Sequence, residues 1–600
     1  IVMAVLSTAT SILLFRLLKK PAGQPVAMLA ASFWAFSLEV HSIITQQGME
    51  TGIVAFSIVL FLFLLQKTET KAVLNERDLI YLGAAALFVL FSRLDGIYLV
   101  LIAGVWVVFR RNPIRYLLPV DLLLTFFVIV GAYIQRATLK VYLLAFDNSA
   151  IMLAVVVIVI QTIVFYFTGL YARPASFSLL RIFIITLVGV TISALISTAA
   201  MLAFSTFGTY SLPRAVPAFY WIGMLILTLL TRTILHFISP WPATLTKDLK
   251  PFQGFLAGKN QIRVALEPLQ KWVHDGLIYF GLTAVGLAGY MGINQLLFGT
   301  IMPVSGQIKR WWGSMPNDVY GGGAKTFLDV FGIDPNYSQA WTLFTNPIFN
   351  WAKNISSITW NFDGWYWLLI SVFIVGFLAL FLFNRKKNLR RIFGVGLIPL
   401  FISAELHAFT YGAMAYASKH EWYWVMQMLT LVILGALGLA ALIDLLPRQR
   451  PVQLIIYSLN GIASLYLAYS FSVELINRMP YQDPLAGQPY MDTMPILEGY
   501  TEPGALIGMT GRGNAGHFIQ GRTIVNMDGL INSFAYFQAL KQNQGGKYLA
   551  TIGMDYIFAN RYIITSSMPY RYQFLPEELI TVDGAPVYGQ KELMRYVPLK

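Results

Sequence analysis

The sequence predicts a polytopic α-helical membrane protein that ends in a small extracytoplasmic α/β domain. Three observations predict it. Of 600 residues, 57% are hydrophobic and only 12% are charged, against about a quarter charged in soluble globular proteins. Apolar runs closed by charges or turn residues recur at about fourteen places, most of them long enough to cross a hydrocarbon layer of about 30 Å. Beyond about residue 476 the composition becomes polar, turn-rich and mixed. The net charge of +14 does not point to nucleic acid, because the cations fall in short clusters between apolar runs, the pattern of membrane topology. The chain has no cysteine. Disulfides, thiolate metal sites and cysteine nucleophiles are therefore excluded. Six scattered histidines predict no metal site.

In chain order the spans read 1–18, 23–43, 52–66, 80–91, 97–109, 116–134, 150–169, 181–206, 216–236, 274–299, 365–383, 392–412, 422–445 and 452–474. The runs 80–91 and 97–109 are too short to cross alone at 1.5 Å per residue. They predict half-length or tilted helices meeting at Ser92-Arg-Leu-Asp-Gly96, with a re-entrant hairpin as the second reading. The sequence begins Ile1-Val2-Met3 inside an apolar run with no basic segment ahead of it, which predicts a further span and outer loop upstream. Basic residues orient the bundle. More than half of the 43 fall on alternate connections: Arg16, Lys19 and Lys20; Lys67, Lys71 and Arg77; Arg110, Arg111 and Arg115; Arg173 and Arg181; the loop 247–271; the run 385–391; and Arg448 and Arg450. These connections read as cytosolic, so the domains are a transmembrane part, 1–475, and an outer part, 476–600.

Ionisable residues inside spans are costly and usually functional. Glu39, His41, Arg93, Asp95, Glu405 and His407 all lie toward the outer ends of their spans. Their common depth predicts a hydrated cavity open to the outside, and interhelical pairing, such as Arg93 with Asp95, is the plainer reading. The outer loop 300–364 carries Lys309-Arg310-Trp311-Trp312, then Gly321-Gly-Gly323 and a Trp-rich stretch. The next outer loop carries Lys419-His420-Glu421-Trp422-Tyr423. Cations beside interfacial aromatics suit a lipid phosphate, and snorkelling anchors are the alternative.

In the tail, 505–510, 522–527 and 555–559 read as strands and 533–542 as a helix, giving a small α/β domain. Gly511-Arg-Gly513-Asn-Ala-Gly516 matches the dinucleotide fingerprint. The spacing to Asp528 is too short for it, and the blander reading is a turn that needs positive φ at glycine.

Four segments carry a resemblance. Gln47-Gly-Met-Glu-Thr-Gly52 resembles the S-G-M-E-T segment of bacterial GT-C membrane glycosyltransferases, the protein mannosyltransferase-like and arabinofuranosyltransferase-like group. Ser92-Arg-Leu-Asp-Gly96 resembles their R-P-D/E-G between two short helices, with Leu94 in place of proline. Pro303-Val-Ser-Gly306 with Lys309 resembles their P-V-S-G-x-x-K. Asn526-Met-Asp-Gly-Leu530 with Asn532 resembles their D-L-D-G-L-V-N. The four occur in the same order and span most of the chain.

The resemblance implies a GT-C-like fold in the bacterial cytoplasmic membrane and a polyprenyl-phosphate-linked sugar as donor. It implies attack on the anomeric carbon by a hydroxyl of an acceptor glycan, lipid or protein. The base in this family is an acid of the first outer loop, which falls upstream of Ile1, so Glu50 is the candidate this sequence offers. Lys309, Arg310, Arg93 and His420 are the candidates for the donor phosphate. No cofactor follows from the sequence, with room left for a divalent cation. The region 143–240 departs from the family pattern and reads as an insertion suited to assembly with other membrane subunits. Two other classes compete: a catalytically silent structural subunit, and a lipid or solute transporter, whose charges should lie at midplane on repeated halves.

Overall fold

The computed structural model describes residues 2–44, 50–71, 73–110, 112–206, 212–238, 269–316, 318–334, 336–359, 361–417, 419–447, 449–477, 491–511 and 513–599. Gln47, Gly48 and Met49 of the first motif, most of the basic loop 247–271, the centre of the apolar break at 205–214, Arg448, Arg512 and Pro480 lie outside the described residues.

Every apolar run read from the sequence falls on a helix. They are α1 (Val2–Ala22), α2 (Gln24–Phe36), α3 (Leu38–Ile44), α4 (Thr51–Thr70), α5 (Glu76–Ser92), α6 (Ile97–Val108), α7 (Ile114–Val141), α8 (Asp147–Thr168), α9 (Leu179–Thr206), α10 (Val216–Ile238) and α11 (Leu269–Phe298). After these come α12 (Val304–Gly313), α13 (Phe327–Val330), α14 (Thr342–Thr359), α15 (Phe362–Phe383), α16 (Arg385–Gly394), α17 (Leu397–Ala413), α18 (Val425–Ile443) and α19 (Arg450–Asn477). Among the described residues nine helices are long and apolar enough to cross a membrane, or up to eleven if each of two bent pairs is one span. The number is smaller than the number of apolar runs because α5 and α6 are short, and because two runs share one stretch of 55 residues, Ile114–Thr168. The protein is a multi-pass helical membrane protein with a small C-terminal sheet region.

The chain forms two compact units. The first comprises 1–287, 325–412 and 420–474. Within it α1 packs on α2 and α4, α4 on α5, and α18 on α1, α2 and α4. Helices α4 and α18 bury most of their length, whereas α15 and α19 bury little. All four are largely apolar, so the difference lies in the neighbour: protein for the first pair, hydrocarbon for the second.

Helices α7 to α10 form a set of their own, α7 against α8 and α10, α9 against α8 and α10. Thr138, at φ 65° and ψ 156°, breaks α7, and a π-helical turn over Tyr142–Phe146 leads into α8. The interior of this set is polar. Arg232 grips Asp121 through two bonds of 2.8 and 2.6 Å, and neither side chain reaches solvent. Nearby, Gln161 Oε1 accepts from the Thr125 and Tyr220 hydroxyls, each at 3.1 Å. This corrects the sequence reading, which placed ionisable span residues only near the outer ends. Asp121 and Arg232 form a further pair, next to connections that read as cytosolic. They escape attention because a lone acid in α7 and a lone base in α10 lie far apart in sequence.

The second unit comprises 288–324, 413–419 and 475–600. Its sheet contains β1 (Leu506–Met509), β2 (Thr523–Asn526), β3 (Tyr556–Ala559), β4 (Leu579–Thr581) and β5 (Glu592–Tyr596), in the order β2-β1-β3-β5-β4. The first three run parallel, and β5 pairs antiparallel with β3 and β4. Alternate residues feed two apolar layers, Ile557 and Met594 on one face and Phe558 and Leu593 on the other, as a sheet buried on both sides requires. Gly511 takes φ 74°, the turn conformation expected of it.

Candidate functional site

The break between α5 and α6 is where the first unit gathers charge. Helix α5 stops at Ser92 because Arg93 is extended, at φ −168° and ψ 130°. One 3-10 turn over Leu94–Gly96 then restarts the chain as α6. The turn needs glycine at 96, since a Cβ there would lie 2.6 Å from Val89 Cγ1 and 3.1 Å from the Val89 carbonyl oxygen.

A guanidinium in an apolar bundle must find partners. Arg93 Nη2 lies 2.9 Å from Asp95 Oδ2, and Nη1 donates to the Trp422 carbonyl at 2.9 Å. Its Nε stands 4.0 Å from Glu50, and its Cζ lies 4.5 Å from the centre of the Tyr423 ring. The acid is shared. His407 Nε2, fully buried on α17, lies 3.1 Å from the same Asp95 oxygen. Gln427 of α18 gives its Nε2 to the Ala404 carbonyl at 2.7 Å and stands 3.4 Å from His407 Nδ1. The His407 ring is walled by Tyr411, Trp424 and Tyr98, at centroid distances of 4.8, 5.2 and 5.9 Å. His420 stacks on Trp422 at 4.2 Å and 8°, beside the residues that hold Arg93. The rim differs from the core: the Glu50 side chain is 43% exposed, that of Arg93 11%.

The other predicted residues have neighbours of their own. Glu39 is near Glu421. His41 bonds to the Ala35 carbonyl and lies 4.6 Å from the Phe471 ring of α19. Glu405 is near Trp341. An apolar groove of about 350 Å³ runs along α2 and α18, lined by Val26, Ala30, Phe33, Leu343, Val432 and Ala436 among others, and none of the six ionisable residues lines it. Among the described residues no group of three or more His, Asp or Glu is placed to hold a metal ion.

Lys309 and Arg310 belong to the second unit, on α12. That helix is anchored by its buried neighbours Ile308 and Trp312, which pack with Ala417 and Phe537, and the Lys309 carbonyl accepts from Ala417 N at 3.1 Å. Both cations are half-buried. Burial raises the pKa of the Tyr416 hydroxyl, and the nearby charge of Arg310 opposes that.

Reading the sequence residue by residue missed Tyr411, Tyr423 and Gln427 as parts of the Arg93 cluster. Two signals were present. Tyr411 stands one helical turn after His407 and so shares its face, and Gln427 is a lone amide inside a strongly apolar run.

No protein-family model matches this sequence, and no curated protein matches it. Among solved structures, the archaeal oligosaccharyltransferase AglB from Archaeoglobus fulgidus, in complex with an inhibitory peptide and a dolichol-phosphate, is similar over 99% of this chain, at 13% identity and a TM-score of 0.33. The chain spans 64% of the length of that structure.

Proposed function

We propose that this chain is a GT-C-type glycosyltransferase that moves a sugar from a polyprenyl-phosphate donor to an acceptor hydroxyl at the outer face of a bacterial cytoplasmic membrane. One observation carries the reading: Arg93, a cation fixed in apolar surroundings at a helix break, with a carboxylate and a histidine at its rim. In the reaction the bond from the anomeric carbon to the donor phosphate breaks while the acceptor oxygen bonds to that carbon from the opposite side. Polyprenyl phosphate leaves with the electron pair, and the acceptor proton passes to a base.

The leaving phosphate gains charge, and fixed donors aimed at it lower the barrier because they need no reorganisation. Arg93 and His420 are the donors we assign in the first unit. Asp95 and His407 act through Arg93 by holding it, and Glu50 is the carboxylate we assign to the acceptor proton. Lys309 and Arg310 are assigned as further phosphate contacts from their place in the P-V-S-G-x-x-K element. The acceptor class is a glycan, lipid or protein hydroxyl, and the C-terminal domain is placed outside the cell membrane.

The test is transfer from a labelled polyprenyl-phosphate sugar by the full chain in nanodiscs. Arg93→Ala should lower turnover by about 100- to 1,000-fold, the usual cost of removing one donor to developing charge. Transfer by Arg93→Ala at the wild-type rate would overturn the reading.

A further inference from the structure

Helix α16 lies between two apolar helices, α15 ending at Phe383 and α17 starting at Leu397. It is bent by 67° from α17, with Gly396 at φ 70° in the joint. Its run 385–391 is one of the basic connections that orient the bundle, and an amphipathic basic helix there suits the membrane boundary. Its sequence suits that place. Asn388 and Phe393 are buried and Leu389 and Ile392 half-buried on its inner side, with Phe393 5.2 Å from the Trp106 ring. Five cations occupy the rest: Arg385, Lys386, Lys387, Arg390 and Arg391.

These cations divide by helical spacing. Lys387 and Arg391, four apart, both close on Asp444, at 2.5 and 2.8 Å. Lys386 and Arg390, also four apart, are rotated away from that acid and are exposed. No ion pair holds either of them among the described residues. Arg385 is exposed as well, its Nη1 3.5 Å from the Phe237 carbonyl. Helix α16 also packs beside α1 and α4, whose last turns carry Lys19, Lys20 and Lys67. One face thus has its charge partly offset by Asp444, and the other keeps its charge exposed.

We propose that the outer side of α16, through Lys386 and Arg390, binds the phosphate of anionic phospholipid headgroups on the basic face of the membrane. Two cations four residues apart stand about 5–6 Å from each other at Cβ, a spacing that both can use on one phosphodiester. The attraction falls off within a Debye length, so the site needs the helix held at the surface, and Asp444 does that by clamping its other side. The proposal is independent of the glycosyltransferase reading.

The test compares the full chain in phosphatidylcholine nanodiscs with and without phosphatidylglycerol, reading the unfolding midpoint and the lipids retained in native mass spectrometry. Phosphatidylglycerol should raise the wild-type midpoint and be retained selectively. Each cation removed should weaken its apparent affinity about fivefold, and Lys386→Gln with Arg390→Gln about 25-fold. The charge-preserving pair Lys386→Arg with Arg390→Lys should behave as wild type, which separates charge from packing. Undiminished retention of phosphatidylglycerol by the double glutamine variant would overturn the proposal. So would loss of retention in the charge-preserving pair, or an equal response to soluble glycerol phosphate.

Discussion

Replacing Arg232 by methionine removes the charged fork and keeps an unbranched apolar stem. Asp121 is then left at 0% exposure with both of its guanidinium bonds gone, and the Leu170 carbonyl loses its donor at 3.3 Å. Unit charges about 4 Å apart attract by about 4 kcal/mol at an effective dielectric of about 20, in line with the cost of about 3–5 kcal/mol for removing one partner of a buried pair. Arg232→Met should therefore lower the unfolding free energy by that amount, a change of more than a hundredfold in the equilibrium constant. Asp121→Leu combined with Arg232→Met should recover most of it, because an apolar pair in place of a buried ion pair is often about neutral. The assay is a double-mutant cycle read by detergent or thermal unfolding in nanodiscs. The reasoning fails if each single variant loses less than about 1 kcal/mol, the worth of an exposed pair, or if the double variant is no better than the worse single.

Four further outcomes are expected. Glu50→Gln should lower turnover at least tenfold with donor affinity kept, since general-base catalysis contributes about 10²–10⁴; unchanged turnover would remove Glu50 from the chemistry. Lys309→Ala with Arg310→Ala should weaken donor binding roughly tenfold or more at one charge-assisted hydrogen bond of about 1.5–3 kcal/mol, and donor affinity equal to wild type would show that this helix does not hold the phosphate. Asp444 loses hydration by burial, which raises its pKa, but the bonds from Lys387 and Arg391 outweigh this and hold the carboxyl below its ordinary value; its stabilisation is full above about pH 4 and is lost as pH falls through the depressed value, so an acid-unfolding profile should flatten in Asp444→Asn and not otherwise. Protease added to right-side-out vesicles should cut within 491–600, and cutting confined to inverted vesicles would reverse the topology.

The fold was legible where physics is one-dimensional. Hydrocarbon thickness sets the length of a span, so apolar runs located the helices, and the short pair around Ser92–Gly96 was recognisable because neither run reaches across. Strands β1, β2 and β3 could be read because each is an apolar run between turns. Strands β4 and β5 could not, because Leu579–Thr581 is only three residues long and Glu592–Tyr596 mixes charged and apolar residues. Arg93, Asp95 and His407 were legible as expensive residues inside spans. Their mutual contacts were only partly so, because α17 comes to the α5–α6 break from more than 300 residues away, as the Ser403 bond to the Tyr98 carbonyl shows. His41 and Glu405 have the same residue-type signal and different neighbours, Phe471 and Trp341, and no spacing in the sequence separates those cases.

The Arg93 cluster and the Asp121–Arg232 pair, both in the first unit, differ in how enclosed they are. Asp121 and Arg232 form a closed fork: both carboxylate oxygens are taken, the guanidinium spends three of its nitrogens, and nothing charged faces outward. A pair so enclosed ties helices together away from solvent. The Arg93 cluster is open. Asp95 Oδ2 is shared by Arg93 Nη2 at 2.9 Å and His407 Nε2 at 3.1 Å, and Glu50 reaches solvent at the rim. The cluster is built on the Ser92–Gly96 turn, where the interrupted helix sets Arg93 and Asp95 side by side. Arg93 donates to the Trp422 carbonyl, and the same reach joins the aromatic loop with His420 and Tyr423 to the break. The helix break that lets Arg93 reach that loop therefore also gathers it with Asp95, His407 and the solvent-reaching Glu50.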